Sequence, residues 1–167
     1  MKLFIFGPPG AGKSSLALAI GKKLKLPVYH VDHYFFKGPD IHVPFDQAMA
    51  ALKLAIPADN WIVEGNHGEA IDFLAGQAEQ VIILEVHPLI CVFRVIKRYF
   101  QNDPALKKAI SAGWEEALSW QLIWFILHIF PKSLPSQKER IRTICQGVVH
   151  YPSAGRTFDI KSLSTPI

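Results

Sequence analysis

Gly7-Pro8-Pro9-Gly10-Ala11-Gly12-Lys13-Ser14 satisfies the spacing G-x-x-x-x-G-K-[ST]. A segment of this kind can wrap a phosphate chain in backbone N–H groups, because glycines at 7, 10 and 12 allow unusual dihedrals and close approach. A helix starting at Gly12 or Lys13 adds the partial positive charge of its N-terminus. In that arrangement Lys13 reaches the β- and γ-phosphates and the Ser14 hydroxyl ligates Mg²⁺. Pro8, Pro9, Ala11 and Ser15 complete the cradle, so the cofactors expected are ATP and Mg²⁺. A glycine-rich turn can match the pattern by accident. An apolar run directly before the loop and an Ala/Leu-rich helical segment after it argue against accident here.

The other chemistry-bearing residues fall after predicted strands. Ligands of open α/β sheets bind at the carboxyl ends of the strands. There the second strand presents His30-Val31-Asp32-His33-Tyr34, the third Glu64-Gly65-Asn66-His67, the fourth Glu85, His87 and Pro88, and the fifth Ser153, Gly155 and Arg156. Asp32, one residue past a buried strand, is the candidate for orienting or deprotonating an acceptor hydroxyl; the competing reading is a turn aspartate. Glu64 ends an apolar strand, where a carboxylate can hold Mg²⁺ through water. His33, Tyr34, Glu64 and Asn66 join Asp32 as candidate substrate contacts. Strand alternation would send His30 and Asp32 to one side and His33 to the other, and no further ligand falls at metal spacing. Arg94 and Arg98, four apart on one helix face, can close over a transferring phosphoryl group, or form a solvated surface.

These positions require alternating elements. Lys2 to Phe6, Val28 to Val31, Trp61 to Glu64, Gln80 to Val86 and Gly147 to Tyr151 read as strands. Lys13 to Lys25, Phe45 to Ile56, Pro88 to Phe100, Gly113 to Phe130, Pro135 to Gln146 and a short closing stretch near Phe158 to Leu163 read as helices. Such alternation predicts an α/β fold with a parallel sheet covered on both faces. The segment from Trp114 to Phe130 is apolar nearly all round and is expected to pack in the core; a homodimer or membrane-surface contact is the alternative.

The chain has 167 residues, half of them apolar, which fits one domain over residues 1–167 and excludes a disordered chain. Cys91 and Cys145, far apart in apolar surroundings, read as core residues of a reducing compartment. The run Leu3 to Phe6 is too short for a signal sequence, and Leu122 to Phe130 is too short to span a bilayer. A cytoplasmic location is therefore expected. Net charge is +4 overall, with residues 1–85 at −2 and residues 86–167 at +6. A basic second half suits phosphate handling and would suit nucleic acid too, but no groove-reading motif accompanies it.

With these residues assembled, the chain resembles the adenylate kinase-like P-loop kinases, and among them the small bacterial topology modulation proteins. The matching pieces are GPPGAGKSSLA, PVYHVDHYF, WIVEGN and RVIKR, followed by a WxLIW-type helix, in order over about the first 130 residues. The resemblance implies a P-loop NTPase fold of three layers, α/β/α, with a five-stranded parallel sheet in the order 2-3-1-4-5. It also implies a helical lid, roughly residues 100–135, to which Arg94 and Arg98 contribute, and an adenine contact at Arg156.

The chain departs from the family in its acceptor half. No arginine precedes Arg94, although arginine's fork is the preferred clamp for a monophosphate. The glycine–aromatic–Pro–Arg turn of adenylate kinases is replaced by Gly65-Asn66-His67-Gly68. Lys37 or Lys53 could supply only point charges. The expected function is therefore a kinase moving the γ-phosphoryl of Mg·ATP to a small hydroxyl acceptor, an uncharged one such as a nucleoside being favoured over AMP. The alternatives are a slow NTPase or nucleotide-dependent switch acting through a partner and, less favoured, a nucleic-acid-binding module.

Overall fold

The computed structural model describes residues 1–38, 41–101, 118–152 and 163. Strand β1 (Lys2–Phe6) feeds the glycine-rich loop, and helix α1 (Lys13–Leu24) leaves it. β2 (Val28–His30) passes into a single helical turn, α2 (Asp32–Phe35), and a small hairpin of β3 (Phe36–Gly38) and β4 (Ile41–His42). Then come α3 (Phe45–Ala55), β5 (Trp61–Gly65), α4 (Ile71–Gln77), β6 (Gln80–Ile83) and α5 (Pro88–Gln101). α6 (Trp120–Trp124) runs through a π-helical turn at Phe125–Ile129 into α7 (Phe130–Ile144), and β7 (Val148–His150) follows.

The main sheet is entirely parallel, in the order β2-β5-β1-β6-β7. Counted among the sheet's own five strands this is 2-3-1-4-5; the hairpin merely inserts two numbers. The pleat of β1 sorts the core into two halves. Leu3 and Ile5 meet Ala17 and Ile20 of α1, together with Ile62 and Ile82. Phe4 and Phe6 face the opposite layer, meeting Leu52 of α3, Ile71 and Leu74 of α4, and Phe130 and Ile141 of α7. A strand buried on both faces needs a continuous apolar run, and KLFIF supplies one.

Several expected boundaries move. β6 ends at Ile83 rather than Val86: Leu84 N–H still reaches the Phe6 carbonyl at 2.8 Å, but β1 then turns into the loop and leaves nothing to pair with. α2, the hairpin and α4 were not expected at all. The chain turns helical at Asp32, so His33 swings back and its ring centroid lies 4.9 Å from that of His30. The alternation expected to separate the two does not extend that far.

Nor is there a break before Pro135, which lies inside α7. The π turn covers Leu127, whose carbonyl the Pro131 ring would crowd in a regular helix. The aromatic segment is only partly core. Ile126 and Phe130 are buried, whereas Trp120 is 75% and Trp124 52% exposed, so a sequence apolar all round is sided in the fold. Residues 102–117 of the expected lid, the expected closing helix up to residue 162, and Ser153, Gly155 and Arg156 lie outside the described residues. Among the described residues no helix is long and apolar enough to cross a membrane. Cys91 is buried and Cys145 partly so, both as free thiols.

Candidate active site

The loop between β1 and α1 is held open by left-handed backbone at two glycines. Gly10 has φ 77° and Gly12, the residue capping α1, has φ 96°. At Gly10 a second constraint applies, since a Cβ there would lie 2.4 Å from the Cys91 carbonyl oxygen at the start of α5. Replacing Gly10 with alanine therefore combines a left-handed penalty of about 1–2 kcal/mol with overpacking of about 1–3 kcal/mol. The expected result is a clear fall in the denaturant midpoint, measured by urea unfolding.

No acidic residue occupies the first turn of α1, and no side chain caps it. The helix's first backbone bond runs from Leu16 N–H to the Gly12 carbonyl at 3.0 Å, so the N–H groups before it have no partner within the helix, which suits an anion. Lys13 is 8% exposed, and its ammonium donates to the Pro8 carbonyl at 3.1 Å, inside the curve of the loop. Ser15, next along α1, is exposed.

Glu64 joins the loop to the neighbouring strand. The Ser14 hydroxyl donates to Glu64 Oε1 at 2.9 Å, and His30 Nδ1 lies 2.6 Å from the same oxygen. Burial by itself would raise the Glu64 carboxyl, but the His30 hydrogen bond, the Lys13 charge and the Ser14 hydroxyl together hold it below the usual range. Asp32 responds in the opposite sense. Burial pushes its carboxyl up from 3.8, Lys13 draws it down, and the nearby Glu64 charge pushes it up further. Two carboxyls flanking one ammonium are thus driven apart in acidity, the usual sign of different chemical tasks.

α5 contributes both arginines. Arg94 donates to the Ala11 carbonyl at 3.2 Å and so braces the loop from its open side. Arg98, one turn on, is partly buried; burial lowers its guanidinium's affinity for the proton while the Glu64 carboxylate acts against this. Loop, Lys13, Ser14, Asp32, Glu64, Arg94 and Arg98 are therefore brought together at one end of the sheet. Tyr34 is not among them: it packs against the main core, beside Tyr29, and burial raises its phenol. Asn66 lies half-buried in the turn after β5.

Two residues gain importance from the structure. His67 stacks on Phe35, with ring centroids 3.8 Å apart, and its charge acts on Asp32. His30 becomes the partner of Glu64. The sequence does hold a signal for it: once β2 and β5 are paired in parallel, His30 and Glu64 fall opposite each other.

The hard oxygens of Ser14 and Glu64 fit a magnesium ion, and the uncapped N–H groups around Lys13 fit a phosphate chain. A glycine-rich loop of this spacing thus stands at the carboxyl edge of a parallel sheet in the order 2-3-1-4-5. Solved structures share this fold. Shikimate kinase from Bacteroides thetaiotaomicron superposes with a TM-score of 0.55 at 19% identity, covering 96% of this chain and 91% of that one. Deoxyadenosine kinase from M. mycoides, solved with bound dATP, gives 0.55 at 20% identity, covering 97% and 94%. Shikimate kinase from Acinetobacter baumannii in complex with shikimate gives 0.54 at 15%, covering 97% and 87%. At these identities the likeness establishes the fold. No protein-family model and no curated protein sequence matches the chain.

Proposed function

We propose that this chain is an ATP-dependent phosphotransferase that moves the γ-phosphoryl group of Mg·ATP to the hydroxyl of a small acceptor bound near Asp32. The observation that carries the reading is the convergence of Lys13, the Ser14–Glu64 pair and Asp32 on one loop. Two of the structural neighbours are named as kinases of shikimate and of deoxyadenosine, which agrees with a small acceptor. The sequence resemblance to the topology modulation proteins points to the same branch of P-loop kinases.

In this reading Asp32 accepts the proton of the acceptor hydroxyl as its oxygen bonds to the γ-phosphorus. The bond from that phosphorus to the β,γ-bridging oxygen breaks, and ADP leaves. Lys13 and the α1 N-terminus hold the negative charge on the phosphates throughout, and Arg98 meets the charge that builds on the transferring group. Magnesium, held by Ser14 and through Glu64, would neutralise phosphate charge. Arg94, already on the loop carbonyl, keeps the cradle in shape.

No arginine precedes Arg94, so the acceptor side offers no guanidinium fork from the first 93 residues. The acceptor proposed is accordingly uncharged, a nucleoside or comparable polyol, rather than AMP. The test is ADP release from Mg·ATP across a panel of nucleosides, nucleoside monophosphates and small alcohols, with EDTA as control. Stimulation by an uncharged acceptor, abolished by EDTA, is the expected result. Robust phosphorylation of AMP would overturn the acceptor class. A slow rate indifferent to every acceptor would overturn transfer to a small molecule and favour a nucleotide-dependent switch.

A further inference from the structure

His30 and Glu64 occupy equivalent positions on adjacent parallel strands and are 7% and 6% exposed. Their side chains leave the same face of the sheet, and Nδ1 comes to 2.6 Å from Oε1. An ionised carboxylate only accepts, so the ring nitrogen facing it must carry the proton. The Ser14 hydroxyl donates to that same oxygen at 2.9 Å. A hydroxyl has one proton and two lone pairs, and spending the proton on Glu64 leaves the lone pairs for another partner. The order imidazole, carboxylate, hydroxyl is thus a directed chain: His30 fixes Glu64, and Glu64 fixes which way Ser14 presents its oxygen. A glutamate has three rotatable side-chain bonds, and the buried His30 donor adds a second hydrogen bond to the one Ser14 makes to its oxygen.

We propose that His30 is a positioning residue for the divalent cation of the nucleotide, acting through Glu64 on the Ser14 hydroxyl and touching neither cation nor substrate. The inference rests on the phosphotransferase reading, in which Ser14 and Glu64 are the cation's protein partners. Outer partners that orient ligands in this way are commonly worth 10–100-fold in metal affinity or activity. His30 differs from Lys13 and Arg94 in a testable respect. Its hydrogen bond runs to Glu64 and through it to Ser14, and its other ring contact is with His33, so it should matter for the cation and not for the phosphate chain.

Manganese binding to the complex of the full chain with β,γ-imido-ATP, read by electron paramagnetic resonance, tests this without turnover. His30→Ala is expected to weaken Mn²⁺ binding about 10–100-fold. Binding of the analogue in EDTA, measured by calorimetry, is expected to stay unchanged. His30→Asn, which carries an N–H at about the place of Nδ1, is expected to restore most of the Mn²⁺ affinity. His30→Gln, which carries its N–H nearer the place of Nε2, is expected not to. Unchanged Mn²⁺ affinity in His30→Ala overturns the proposal, as does an equal loss of analogue binding with and without metal. Should the alanine variant fail to fold by circular dichroism, the Asn and Gln variants decide, and equal Mn²⁺ affinity in those two overturns it. If the unsubstituted protein binds the analogue neither with Mn²⁺ nor without, the proposed function falls, and this inference falls with it.

Discussion

Asp32→Asn is expected to lower acceptor-dependent phosphoryl transfer by about 10²–10⁴-fold, the range for loss of a positioned general base. The side chain keeps its size and place at the start of α2, so the affinity for Mg·ATP should change little, and the loss should appear in kcat. The pH profile gives a second, independent reading. Burial raises the Asp32 carboxyl above 3.8, more than Lys13 lowers it. As a base it works only when ionised, so the acid limb of kcat/KM should lie above the ordinary carboxylate range and be absent from the residual activity of the variant. Stability should move the other way. A group whose folded pKa is raised contributes stability below its unfolded pKa and loses it as pH rises through the folded pKa. At neutral pH the buried charge therefore destabilises the fold, and Asp32→Asn should melt at a higher temperature than the parent. That advantage should vanish near pH 4. A variant equally active, or one less stable at pH 7 than at pH 4 relative to the parent, would make Asp32 an ordinary turn residue.

The parts of this site legible in the sequence were those whose identity follows from local geometry. The loop from Gly7 to Ser14 needs left-handed glycines at fixed spacing and a strand and helix on either side, all of which are local. Glu64 stood out because a carboxylate at the end of an apolar strand needs a reason to be there. The role of His30 was hidden, because it depends on the register between two strands more than thirty residues apart. The position of His33 was hidden for a related reason: alternation was carried past His30 into residues that are helical, and its ring lies beside that of His30. α4 escaped notice because its seven residues, IDFLAGQ, are too few to display a helical period and include a glycine. The segment before Phe130 misled in the opposite direction. Its composition reports what could be buried, whereas only the side facing α5 and the sheet is, leaving Trp120 and Trp124 outside. Local rules thus anticipated the loop from Gly7 to Ser14 and the strand and helix on either side of it, whereas the contacts made by strand pairing and helix docking are not local.

Lys13→Ala should be the most damaging single change to the phosphate end, and its effects should separate from those at Asp32. Lys13 is nearly sealed, its ammonium rests on the Pro8 carbonyl, and it is the charge that both Asp32 and Glu64 sense. Removing one preorganised donor of this type lowers turnover by about 10²–10³-fold. The loss should reach further here, because Mg·ATP affinity falls as well, so that kcat and KM change together. The carboxyls supply the distinguishing signature. With the ammonium gone, Asp32 loses the largest of the charges that draw it down and keeps the Glu64 charge that pushes it up. The acid limb of whatever activity remains should therefore move to higher pH than in the parent, while in Asp32→Asn it disappears. Lys13→Arg keeps the charge but brings a planar fork in place of a compact ammonium, so it should leave the limb near its parental position and restore only part of the rate. Calorimetric titration with β,γ-imido-ATP, combined with pH profiles of all three variants, checks the scheme. An alanine variant with undiminished nucleotide affinity would mean that the loop from Gly7 to Ser14 does not hold phosphate.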